Sequence, residues 1–115
     1  MRHVIREEIT DERPQIVLKT CLKYFSDMMI PKGLLFSNLR SRDLSDARAL
    51  LADQLFVHTH LTDRQIGEIM HISGAGAYQA RRRALAYIIT DLNFCKTHHD
   101  LQKLVEEKLS RCVKI

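Results

Sequence analysis

Residues 73–85 read SGAGAYQARRRAL: three small residues after a serine, then an alanine, a tyrosine, a glutamine and, beyond Ala80, three successive arginines. In a helix, side chains step by about 100°, so Ala77, Ala80, Ala84 and Ile88 share one apolar face. Ala75, Tyr78, Gln79 and Arg82 then point the opposite way, with Arg81 and Arg83 on the flanks. The chemistry offered by that outward face is recognition of a polyanion. Gln79 can pair bidentately with adenine, the arginines with guanine or phosphate, and Tyr78 can donate to a phosphate. Gly74, Ala75 and Gly76 would let the helix start approach a surface closely and aim free N–H groups at it. The same residues admit a plainer account, in which the arginines are a solvated surface and Gly-Ala-Gly a loose turn.

The residues ahead of this stretch tip the balance towards nucleic acid. LTDRQIGEIM opens with Thr62 and has Gln65 three residues later, the spacing of a capping box, so a short helix begins there. Only His71 and Ile72 separate Met70 from Ser73, itself a good N-cap. A short capped helix, a tight turn and a longer helix with small inward residues spell helix-turn-helix, whose second helix enters the major groove by its N-terminal end. Thr62 and Ser73, at the two helix starts, therefore join the expected DNA contacts. Histidine is unusual in such a turn but tolerates positive φ better than most residues. Upstream, SNLRSRD adds Arg40 and Arg42 as a basic loop, followed by a helix with Asp43 and Asp46 near its positive end.

The rest of the chain reads as helix. Pro14 and Pro31 are the only prolines, the four glycines lie at 33, 67, 74 and 76, and no alternating β-branched and aromatic run suggests a strand. The expected fold is all-α, one domain over residues 1–115 with a helix-turn-helix core at 34–90 and flanking helices. In DERPQIVLKTCLKYFSDMMI, Leu18, Leu22, Phe25 and Met29 recur with Val17, Cys21, Tyr24 and Met28 beside them, a stripe wide enough to be buried on more than one side. Pro31 and Gly33 should end it, and a short helical turn should follow. Leu44, Ala47, Leu51 and Leu55 mark a long helix from Asp43 to about His58. The final segment repeats Leu101, Leu104 or Val105, Leu109 and Cys112, with Thr97 and Asp100 as a cap.

The 115 residues carry a net charge of +4, with 45% apolar and 28% charged residues, a soluble one-domain composition. Residues 32–83 hold eight cations against five anions and so contain most of the excess, a modest electrostatic footprint for phosphate. No stretch reaches the roughly 18 apolar residues of a membrane span, and the start lacks the apolar region of a secretory signal. Cys21, Cys95 and Cys112 are odd in number and form no C-x-x-C pair, which suits a reduced cytoplasm. His58, His60, Cys95, His98 and His99 match no usual metal-ligand spacing. No paired carboxylates, nucleophile elbow or Cys-His arrangement stands out, so neither cofactor, metal nor catalysis is expected.

LRSRDLSDARALLADQL followed by LTDRQIGEIM resembles the duplex-binding C-terminal domain of the bacterial replication initiator DnaA. The similarity spans roughly residues 34–90 and implies an all-α helix-turn-helix fold, with Arg40 and Arg42 in the place of that family's basic loop. HISGAGAYQA departs from the initiator's Gly-Gly-Arg-Asp-His-Thr-Thr signature. It is similar instead to the tryptophan repressor, whose recognition helix begins Gly-Ala-Gly and reaches an arginine matched here by Arg82. The repressor's upstream corepressor arginine falls on Ala49, with Arg48 out of phase, so tryptophan is not the expected ligand. No G-x-x-x-x-G-K-[ST] loop is present, and Met1 favours a whole chain. The expectation is a small regulator, transcriptional in role, that binds double-stranded DNA as a homodimer through its first and last helices. The alternatives are a helical protein-interaction module, or the excised DNA-binding domain of a replication initiator-like protein.

Overall fold

Pro14 carries a preset φ and no N–H, which suits a first helical turn, and α1 (Arg13–Asp27) begins around it. The computed structural model describes residues 12–112. Val17, Cys21 and Phe25 of α1 recur every four residues and are fully buried. The expected stripe stops there. Met29 takes a left-handed φ of 70° and turns the chain out of the helix, so Met28 and Met29 are exposed instead of buried. The single-turn helix α2 (Lys32–Leu35) follows Pro31 and buries Leu35.

Helix α3 (Arg42–His58) starts where the Ser41 side chain accepts the Leu44 N–H at 3.1 Å. Its expected stripe, Leu44, Ala47, Leu51 and Leu55, is buried, and Ala49, Leu50, Ala52, Asp53 and Gln54 are buried with it. A helix covered on so many sides is the hub of the fold, and α3 packs against every other described helix. Three helices complete the chain: α4 (Asp63–Met70), α5 (Gly74–Thr90) and α6 (Leu92–Cys112). The described residues are thus all-α, with two short-linked helices, α4 and α5, laid on α3 and flanked by α1 and α6.

The start of α6 departs from the sequence reading. Asp91, not Thr97, precedes the helix, and its carboxylate accepts the Phe94 N–H at 3.1 Å. Thr97 lies inside the helix and donates to the Asn93 carbonyl at 3.1 Å. A well-placed aspartate six residues earlier overrides the Thr97–Asp100 cap pattern. Phe94, Leu101, Val105 and Leu109 are buried, and α6 lies along α1. The apolar stripes of the first and last helices therefore meet within one chain. The side chain of Cys112, expected to extend the stripe, lies outside the described residues.

Between α3 and α6 sits a polar cluster. Asp53, 3% exposed, lies 2.8 Å from His98 Nε2, and fully buried Gln54 donates to Asp53 at 3.2 Å and to Gln102 at 3.3 Å. His58 lies 3.0 Å from the Gln54 amide oxygen. Each buried polar group thus has a partner, as low dielectric demands. Burial holds the His58 pKa below the usual histidine range, against the attraction of Glu106 and Asp53. It also pushes the Cys21 thiol up to about 12, with Asp53 adding to the shift.

Candidate nucleic-acid interface

The geometry of α4 and α5 is set at four local points. At the first, the Thr62 hydroxyl accepts the Gln65 N–H at 3.2 Å while the Gln65 side chain accepts the Thr62 N–H at 2.9 Å, the reciprocal box that its spacing predicts. At the second, His71 adopts φ 62° and ψ 38°, and the N–H groups of His71 and Ile72 return to the carbonyls of Glu68 and Gly67. The αL histidine is the turn expected from the sequence, and its ring packs edge-on to Phe36 with centroids 5.2 Å apart. The third point is Gly67: a Cβ there would stand 2.6 Å from the Ile72 carbonyl oxygen and 2.8 Å from that of Ser73. Backbone oxygens cannot step aside, so only glycine allows the turn to fold back onto α4. At the fourth, the Ser73 hydroxyl accepts the Gly76 N–H at 2.9 Å and caps α5.

Small residues at the start of α5 serve packing as well as exposure. A Cβ on Gly74 would lie 3.2 Å from Arg64 Cα, so its bareness lets α5 start against the backbone of α4. Gly76 is half-buried beside Ser73 Oγ, 3.3 Å from where its Cβ would be. Ala77 and Ala84 are fully buried and Ala80 and Ile88 half-buried, which brings α5 close to α3. The opposite face carries exposed Ala75, Tyr78, Gln79, Arg82 and Arg83. Thr62 and Ser73 are exposed at the two helix starts, although both hydroxyls are already engaged as caps.

The arginines separate into three kinds. Arg81, expected on the flank of the DNA face, is tied down: its guanidinium meets the Asp63 carboxylate through two bonds of 2.9 Å and lies 3.8 Å over the Phe56 ring. Its side chain is only 14% exposed. The hydrogen bonds from Arg81 hold the Asp63 carboxyl below the usual carboxylate range. Arg42, expected in the loop, is the first residue of α3. It bonds Asp46 at 3.2 Å and Asp91 at 2.8 Å and lies 5.0 Å from the Tyr87 ring centroid; Asp46 first, then Tyr87 and Asp91, hold its pKa above the usual arginine value. Arg82 and Arg83 donate to the hydroxyls of Tyr78 at 3.1 Å and Tyr87 at 3.5 Å, and neither has a carboxylate partner among the described residues. Arg40 is exposed in the loop before α3.

Two further arginines were given no part in the site by the sequence. Half-buried Arg48 donates to the carbonyls of Leu35 at 2.8 Å, Ser37 at 2.9 Å and Leu34 at 3.3 Å, closing the end of α2; burial and then Arg40 penalise its charge. Arg64 is exposed beside Gly74, at the junction of α4 with the start of α5. Its place directly after Thr62 and Asp63 at a capped helix start was the available signal.

A groove links these groups. A cavity of about 500 Å3, bounded by Gln79, Arg82, Arg83 and Tyr87, adjoins one of about 340 Å3 bounded by Asn38 and Arg40, and Ser45, Arg48 and Ile72 line both. Loop arginine and helix arginines thus border two adjoining concavities that share three lining residues. Among the described residues, no group of three or more His, Cys, Asp and Glu side chains is placed to hold a metal ion, and no helix is long and apolar enough to cross a membrane. Fold and site together define a small helical chain that carries two capped, tightly linked helices and an exposed cationic helix face. No protein-family model, curated protein or solved structure matches it.

Proposed function

We propose that this chain binds double-stranded DNA in a sequence-specific manner, with α5 in the major groove and the Arg40 loop on the adjoining backbone, and that it acts as a small cytoplasmic regulator of transcription. The observation that carries the reading is the pairing pattern of the arginines. Arg82 and Arg83 lie on one exposed face with Gln79 and have no carboxylate partner among the described residues, whereas Arg81 is consumed by Asp63. Cations left uncompensated on the face that a helix-turn-helix would present are what phosphate binding needs. The resemblance to the initiator's duplex-binding domain and to the tryptophan repressor supports the same reading.

A single module contacts few base pairs, so the reading extends to a homodimer on two half-sites. Because the inner stripes of α1 and α6 are used within the chain, the dimer face is their outer groove. It is a cavity of about 490 Å3 lined by Ile16, Tyr24 and Leu104 together with polar Thr20, Asp27 and three lysines. A protein-interaction module is the second reading, favoured by exposed Leu85, Ile89 and Leu92 beyond the arginines.

Titration of a labelled mixed-sequence duplex at several salt concentrations separates the two readings. With three to four phosphate contacts, log affinity should fall against log salt with a slope of about −3. Absence of binding at low salt would dismiss DNA as the partner.

A further inference from the structure

Arg42 presents a contradiction within the proposed interface: it stands where a DNA-contacting cation is expected, yet carboxylates hold it. Asp46 belongs to the same helix, four residues on, an arrangement that follows the side chain wherever it turns. Asp91 is different. It lies 49 residues away, between α5 and α6, and reaches the guanidinium end at 2.8 Å. Arg42 also shares the Tyr87 ring with Arg83, with their guanidinium carbons 5.0 and 5.7 Å from its centroid. Tyr87 in turn lines the groove beside Arg82 and Arg83. Arg42 is therefore one aromatic ring away from the uncompensated cations, with 59% of its side chain exposed.

We propose that Asp91 is an internal competitor for DNA, its carboxylate occupying on Arg42 the position of a backbone phosphate and holding that arginine off the duplex. The inference rests on the DNA-binding reading and adds its regulation. Binding through Arg42 would exchange one anion for another, so a phosphate must displace Asp91 before it can take the guanidinium. That competition makes the contact a brake. Because exposed ion pairs are weak, the brake is one that a favourable site can overcome.

Asp91 permits a clean test because its two oxygens do different things. Oδ2 holds Arg42, while Oδ1 accepts the Phe94 N–H and caps α6. Asn and Ser both cap helices well, so Asp91→Asn and Asp91→Ser remove the charge and keep the cap. Fluorescence anisotropy of a labelled mixed-sequence duplex would be followed against salt for the full chain, both Asp91 variants, Arg42→Ala, Asp91→Asn/Arg42→Ala and Arg82→Ala. Both Asp91 variants should bind about two- to fivefold tighter than wild type, with a slope steeper by about one. In the Arg42→Ala background the gain should vanish. Unchanged affinity in the Asp91 variants, or a gain that survives loss of Arg42, would overturn the proposal. Should Arg82→Ala lose affinity while the Asp91 variants match wild type, the DNA-binding reading stands and the brake alone falls. Should no variant bind, both fall.

Discussion

Gly67 illustrates how much of the candidate interface depends on a residue that touches nothing beyond the chain. It lies under the turn, and its missing Cβ leaves room for two carbonyl oxygens that would otherwise be within 2.8 Å. Gly67→Ala should cost about 1 to 3 kcal/mol, because the atoms in its way are backbone and cannot rotate aside. Chemical denaturation measures this, and an unchanged unfolding midpoint would show that the turn can open without penalty. The arginines make the complementary point. Arg81, Arg82 and Arg83 are identical by type and adjacent in sequence, but helical steps carry Arg81 to Asp63 and leave Arg82 and Arg83 on the exposed face. Only the one that faces Asp63 is spent on holding helices together.

The ion pair between Asp63 and Arg81 belongs to the scale of elements, since it joins the first turn of α4 to the middle of α5 and rests on Phe56 of α3. The folded-state carboxyl of Asp63 is held below its ordinary value. Its stabilising effect is therefore present above the normal carboxylate range and is lost as pH falls through the depressed folded value. Melting temperature should accordingly decline on acidification in wild type. In Asp63→Asn it should start lower at neutral pH and decline less, whereas parallel curves would mean that this pair does not couple the two helices. Solvent screening keeps the effect modest, since the Asp63 side chain is 27% exposed.

Legibility also sorts by element. The capping box at Thr62, the serine cap at Ser73 and the buried faces of α3 and α5 were readable because caps and helical periodicity are local. The end of α1 was misread because nothing in MMIP announces a left-handed methionine, and the start of α6 because two cap patterns competed. Asp91 lies 49 residues from Arg42 and Asp63 lies 18 from Arg81, and no periodicity encodes either pairing.

At the scale of the molecule, α3 touches every other described helix, and the polar cluster of Asp53, Gln54, His58, His98 and Gln102 fastens α6 to it. The histidines that the sequence scattered around Cys95 are explained in part by this cluster: His58 and His98 are satisfied side chains of a buried seam. The wide stripe on α1 was legible as surplus apolar surface. Its partner was not, since intramolecular and intermolecular burial demand the same pattern. With α6 supplying that partner inside the chain, the proposed dimer rests on the outer groove alone. Sedimentation should show a dimer at high micromolar concentration or on a selected duplex, and Leu104→Glu should abolish it. A monomer under both conditions would remove the two-fold assembly.

If the outward face of α5 reads duplex sequence as proposed, selection from a random duplex pool will reveal it. Wild type should enrich a discrete motif. Gln79→Ala should change the preference at one or two adjacent base pairs and cost about 1 to 3 kcal/mol on the original site, because it removes a bidentate base contact. Arg82→Ala should recover the same motif with weaker retention and a flatter salt dependence, because a phosphate contact positions without specifying. A wild-type pool indistinguishable from its input, or a Gln79→Ala motif identical to that of wild type, would contradict the account.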